Sequence, residues 1–198
     1  MQRFIFLYIT FAFLILSNFC NAKNYNPDSL LYVLHTVKQP SEQIIILNML
    51  ANAQLKSDPL LAYNYAEQAL FLSESINNIS GKANSKLNLA LFYNENNESQ
   101  KALNLLLEAR GEFLKISDDL GLAKTDLELG KVYQGKFEYE KALDVLYQAK
   151  DLFKELKKDK ELAETNNFIG GSYYDQENYD KAFEYFQNSL VIWEKTWQ

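Results

Sequence analysis

The same residue types recur every 40 positions along the chain after Pro40. Several series keep this register independently of one another, and the string YEKAL at 139–143 reappears as the related string YDKAF at 179–183. The series are Ala62, Ala102, Ala142 and Ala182; Tyr93, Tyr133 and Tyr173; Ala83, Ala123 and Ala163; and Ala90, Gly130 and Gly170. A fixed period of this length indicates a repeat protein, in which each unit buries its apolar face against its neighbours.

Each repeat reads as two amphipathic helices. In the third unit Ala142, Leu146, Ala149 and Phe153 follow one another at helical spacing and form one apolar stripe. Only 7 Gly and 3 Pro occur in 198 residues, too few turn residues for an all-β fold. We therefore predict an all-α stack of antiparallel helix pairs over residues 41–198, with units at about 44–83, 84–123, 124–163 and 164–198.

The order of residues within a unit resembles the tetratricopeptide repeat (TPR) family. The third unit carries the pattern in Leu129-Gly130, Tyr133, Ala142, Leu146 and Ala149. This resemblance implies a right-handed α-solenoid whose first helices line a concave, partner-binding groove. The chain departs from the family in three respects. The first unit is degenerate, no Trp stands in the first helix, and the unit has 40 residues rather than about 34. We expect the extra residues to lengthen the second helix and the link at 116–121.

The first 22 residues have the pattern of a secretory signal peptide. Arg3 precedes an apolar run from Phe4 to Leu16, and the small residues Cys20 and Ala22 fit a cleavage site before Lys23. We expect an exported protein, periplasmic or extracellular. The alternative is a membrane-anchored one, with the segment uncleaved or Cys20 lipidated. Residues 23–40 are predicted to form an N-terminal capping helix that begins at Asp28.

Composition argues against several classes of function. The net charge of −6 is the wrong sign for a nucleic-acid binder, which needs a basic face. The chain has one Cys and one His, so the ligands of a Cys/His zinc site and the usual nucleophile–base pairs are missing. His35 has no partner ligands near it in the sequence. We predict no enzyme, no cofactor and no bound metal.

The candidate site is the groove implied by the resemblance, with a protein or peptide as partner. Helical phase assigns amides, two lysines and apolar anchors to it. The predicted groove residues are Asn84, Asn88, Leu91, Asn94, Lys124, Lys131, Gln134, Asn167 and Tyr174. The favoured function is an exported interaction scaffold. The alternative is an extracytoplasmic sensory segment of a bacterial signalling protein.

The last predicted helix keeps an apolar face with no later repeat to cover it. Val191, Ile192, Trp193 and Trp197 all fall near its end. Uncovered apolar faces of this kind usually mark a contact. This edge therefore predicts self-association through the C-terminal helix, or a contact with another domain.

Overall fold

A computed structural model describes residues 26–196, which form nine α-helices. They are α1 (Pro27–Thr36), α2 (Pro40–Gln54), α3 (Pro59–Ser75), α4 (Ile79–Glu95), α5 (Ser99–Lys115), α6 (Asp119–Gly135), α7 (Tyr139–Glu155), α8 (Asp159–Asp175) and α9 (Tyr179–Thr196). The predicted all-α fold is confirmed. The predicted signal segment at 1–22 and Trp197 lie outside the described residues. No helix between residues 26 and 196 combines the length and apolar character needed to cross a membrane.

The backbone repeats every 20 residues, half the period seen in the sequence. Each helix from α4 onward begins 20 residues after the one before it, and α3 to α8 all contain 17 residues. The extra residues were expected in the second helix and the link, but they are not confined there. Both helices of the second and third pairs contain 17 residues, and the link at 116–118 is as long as the turn at 136–138. The helix pairs also begin four or five residues before the predicted unit starts, at Pro40, Ile79, Asp119 and Asp159.

Side-chain caps fix several helix starts. The carboxylate of Asp118 accepts a hydrogen bond from the backbone N–H of Gly121 at 2.9 Å, and Asp58 caps α3 in the same way. The amide of Asn78 does so for α4. In α1 the cap is Asn26 and not the predicted Asp28, whose backbone N–H donates to the Asn26 side chain. Pro27 therefore stands at the first helical position, where its missing N–H costs no helix hydrogen bond.

The six turns between α3 and α9 share one backbone form, and none of them uses glycine for it. After α7 the N–H of Lys158 donates to the carbonyl of Phe153 at 2.9 Å, and Lys157 between them has a φ of 54°. This is the Schellman ending, in which the left-handed position is usually glycine. Here that position holds Asn77, Asn97, Ser117, Phe137, Lys157 and Glu177.

Small residues let the two helices of a pair approach closely. A Cβ on Gly130 of α6 would lie 2.4 Å from Leu146 Cδ2 on α7, and one on Gly170 of α8 would lie 2.7 Å from Phe186 Cε1 on α9. Both distances are far below van der Waals contact. A larger residue at either position would push the helix pair apart.

The two ends of the stack differ in how well they are covered. At the N-terminal end Leu30 of α1 packs against Ile46 and Leu50 of α2. At the other end, Phe186 of α9 is 37 % exposed, whereas Leu146, its equivalent one unit earlier, is fully buried under the next helix. Among residues 26–196, no side chain covers this apolar outer face of α9.

Alternate helices form the row that positions the candidate site. Each helix packs against the helices before and after it, and α2, α4, α6 and α8 also contact one another in that order. We call these four helices the inner row. Their facing side chains come from positions 40 residues apart, because each belongs to the first helix of a unit.

Candidate binding groove

A cleft of about 920 Å³ runs across the inner row. Its α2 and α4 walls carry apolar side chains, including Ile45, Met49 and Leu91. Asparagines at positions 48, 52, 84 and 88 lie between them. Apolar surface with a few placed polar groups is the usual composition of a ligand-binding cleft.

The asparagines of neighbouring units hold one another in place. Asn88 Nδ2 donates to Asn48 Oδ1 at 2.9 Å and to the Asn48 carbonyl at 3.1 Å, and Asn48 Nδ2 donates to the Ile44 carbonyl. Asn84 Nδ2 donates to the carbonyl of Ser80 at 2.8 Å. Within residues 26–196 no donor reaches the Oδ1 oxygen of Asn84 or Asn88. Both oxygens are therefore available to accept from a bound backbone N–H.

The lysine in the middle of the inner row is already paired. Lys131 Nζ lies 2.7 Å from Glu128 Oε1 and 2.7 Å from Glu164 Oε1, and 5.1 Å from the centre of the Phe168 ring. Burial alone would lower the pKa of Lys131, but the two carboxylates outweigh it and the pKa is raised. Burial raises the pKa of Glu128 despite the ammonium beside it. Lys131 is thus a structural cation that joins α6 to α8.

Comparison with known proteins identifies the fold of the chain but not its family. No protein-family model and no curated protein matches the chain. Among solved structures, it is similar to a Rap protein complexed with Competence and Sporulation Factor (TM-score 0.73, 20 % identity, 81 % of this chain and 46 % of that one). It is also similar to BtubC from P. vanneervenii (0.69, 19 %, 81 % and 66 %) and to the TPR-like repeats of a kinesin light chain from Podosopora anserina (0.59, 18 %, 86 % and 86 %). The chain has a TPR-like fold. It spans about two thirds of BtubC and less than half of the Rap protein.

Four of the predicted groove residues line the cleft of this TPR-like stack. They are Asn84, Asn88, Leu91 and Lys124. Lys124 is exposed and makes no ion pair with any residue between 26 and 196. It is the lysine of the predicted pair that remains available to a ligand.

The other five predicted residues lie outside the cleft. The last turns of α4, α6 and α8 hold Asn94, Gln134 and Tyr174, beyond the residues that line the cleft. Gln134 Nε2 lies 3.5 Å from Asp175 Oδ2, and Tyr174 packs edge-on against Tyr179. Asn167 is exposed on α8, and Lys131 is held by its two carboxylates.

The sequence prediction missed the contribution of α2. Ile44, Ile45, Asn48 and Asn52 all line the cleft, although the first unit matches the TPR pattern poorly. The 40-residue spacing could have found two of them, because Ile44 aligns with Asn84 and Asn48 with Asn88. Residues 26–196 contain no group of three or more His, Cys, Asp or Glu side chains arranged to hold a metal ion, and His35 is exposed on α1.

Proposed function

We propose that the chain is an exported scaffold that binds a peptide or an extended protein segment in the cleft of the inner row. The observation that carries this is the apolar wall of α2 and α4 with free asparagine acceptors set into it. An extended backbone has a donor for such oxygens at each residue, and its side chains would cover Ile45 and Leu91. The Rap neighbour supports the proposal, since its structure holds Competence and Sporulation Factor.

A photo-crosslinking residue at position 91 tests the groove. We expect p-benzoylphenylalanine in place of Leu91 to form an adduct with a partner in an envelope extract. The same probe in place of Phe71, exposed on α3 outside the cleft, should form none. Equal labelling from both positions, or none from position 91, would contradict the proposal.

A second candidate function rests on the outer face of α9. Phe183, Phe186 and Leu190 are exposed there in a row at helical spacing. A sensory segment would use such a face to contact its signalling domain, and a self-associating scaffold would use it to contact a second copy. An adduct obtained with the crosslinker at position 183, and not at 91, would favour these alternatives.

Export is tested by the mass of the mature chain. We expect protein recovered from outside the cytoplasm to begin at Lys23, because the small residues Cys20 and Ala22 form the cleavage signal. Replacing Ala22 with a bulky residue should block processing. A Cys20→Ser variant should still be exported and cut, since lipidation is not part of the proposal. Recovery of the intact chain starting at Met1 would contradict cleavage.

A further inference from the structure

The two halves of the cleft differ sharply in charge. Every lining residue from α1 to α4 is uncharged, including Ile45, Asn88 and Leu91. All the lining residues from α6 and α8 are charged. They are Lys124, Glu128, Glu161 and Glu164. A segment lying along the cleft would therefore pass from an apolar, amide-lined half into an ionic one.

The ionic half carries more negative than positive charge. Lys131 is committed to Glu128 and Glu164, and Lys124 is the other cation. Glu161 makes no ion pair with any residue between 26 and 196. Burial keeps the pKa of Glu128 raised despite Lys131, and the carboxylates of Glu164 and Glu95 add a smaller repulsion. Lys131 is shared between two of these carboxylates and Glu161 has no cation, so a further cation arriving here would be favoured.

We propose that the bound segment carries a lysine or arginine side chain that contacts Glu161 and Glu164, and an apolar side chain that packs against Ile45 and Leu91. This rests on the proposed groove function and adds the chemistry of the partner. A partner that ends in a carboxylate suits the cleft less well, because it would meet three glutamates and one unpaired lysine. Glu161 and Glu164 are three residues apart on α8, so they are neighbours on one helix face and a single cationic side chain can reach both.

Helix spacing sets the distance between the two anchors. Neighbouring packed helices lie about 8–10 Å apart, so α4 and α8 are separated by about 20 Å across the inner row. An extended chain advances about 3.3 Å per residue. The basic and the apolar side chains should therefore be about five to seven residues apart.

Selection from a random linear peptide library displayed on phage tests this, with the full 198-residue chain immobilised. We expect enriched peptides to carry Lys or Arg about five to seven residues from Leu, Ile or Phe. The best of them, made as a labelled synthetic peptide, should bind about tenfold more weakly to a Glu161→Gln, Glu164→Gln variant. Glu161→Gln alone should give part of this loss, and its fold should be unchanged because no described residue pairs with Glu161.

Matched controls separate this inference from the groove proposal. An Asp144→Asn, Asp151→Asn variant removes two exposed carboxylates of α7 and should bind the peptide as the parent does. Enriched peptides that are acidic or lack basic residues, or an affinity equal in the Glu and Asp variants, would overturn the inference. If such peptides still lose binding to a Leu91→Ser variant, the groove proposal stands. If the library yields no peptides that bind the parent chain better than the Leu91→Ser variant, both the inference and the groove proposal are overturned.

Discussion

Replacing Phe153 with alanine should lower the free energy of unfolding by about 4 kcal/mol. The ring is fully buried at the end of α7, packed with Leu146, Ala149 and Ile169, and its removal leaves a cavity that stacked helices fill poorly. The effect should also spread to neighbouring units, because in a stack of repeats each unit is stabilised by the next. Denaturant unfolding followed by circular dichroism gives the measurement.

The matched control is an exposed phenylalanine on α9, the last described helix of the same stack. Phe183 on α9 is 63 % exposed, so Phe183→Ala should change the unfolding free energy by less than about 0.5 kcal/mol. A loss below about 1 kcal/mol for Phe153→Ala would mean that the core of the third unit is not packed as described. A large loss for Phe183→Ala would mean that α9 is covered in solution.

The sequence predicted the helix pairs because their determinants are local. Apolar residues at helical spacing and the small residues Gly130 and Gly170 report directly on which faces meet. The cap at Asp118 is local too. Helix ends were less accurate, because the left-handed turn positions hold residues such as Phe137 and Lys157 in place of glycine. Without glycine at the helix end, sequence alone gives little warning of where each helix ends.

The sequence could predict only those groove residues whose position follows from the phase of a single helix. Asn88 and Leu91 follow from the phase of α4, and the cleft contains both. The pairing of Lys131 with Glu164 joins two units, so it depends on how far apart α6 and α8 lie. That distance is a property of the stack, not of either helix. The charge difference between the halves of the cleft became visible only when the units were placed together.

A similar limit applies to the position where the TPR family has a tryptophan. Lys86 and Asp126 stand there, and in the sequence they look only like a departure from the pattern. In the structure Lys86 Nζ lies 2.8 Å from Glu112 Oε1 on α5. Asp126 on α6 pairs with Arg110 on α5. Ion pairs between helices thus occupy the place of an aromatic side chain.

Arg110→Met should lower the free energy of unfolding by about 3–5 kcal/mol at neutral pH, although Arg110 lies near the surface. The side chain of Asp126 is 1 % exposed, and Arg110 is its only countercharge among the described residues. Arg110 also bridges to α7, with Nη2 2.7 Å from Gln148 Oε1. Removing the guanidinium leaves a buried carboxylate without a partner, which costs far more than an exposed pair is worth. Lys101→Met, which breaks the exposed pair with Glu98, should leave the free energy of unfolding nearly unchanged.

The dependence on pH identifies the cause of that loss. Burial already raises the pKa of Asp126 above its ordinary value, and Arg110 opposes the rise, so the pKa should be higher still in Arg110→Met. A carboxyl whose pKa is higher in the folded state binds more protons there, so stability falls as pH rises between the unfolded and folded pKa values. Acidification through that interval should therefore raise the stability of Arg110→Met more than that of the parent chain. An Arg110→Met, Asp126→Leu variant should recover most of the loss at every pH, because an apolar pair needs no countercharge. The contrary result is a loss of stability in Arg110→Met that is independent of pH, or that remains after Asp126→Leu is added. Either result would show that Arg110 acts through its packing and its bond to Gln148.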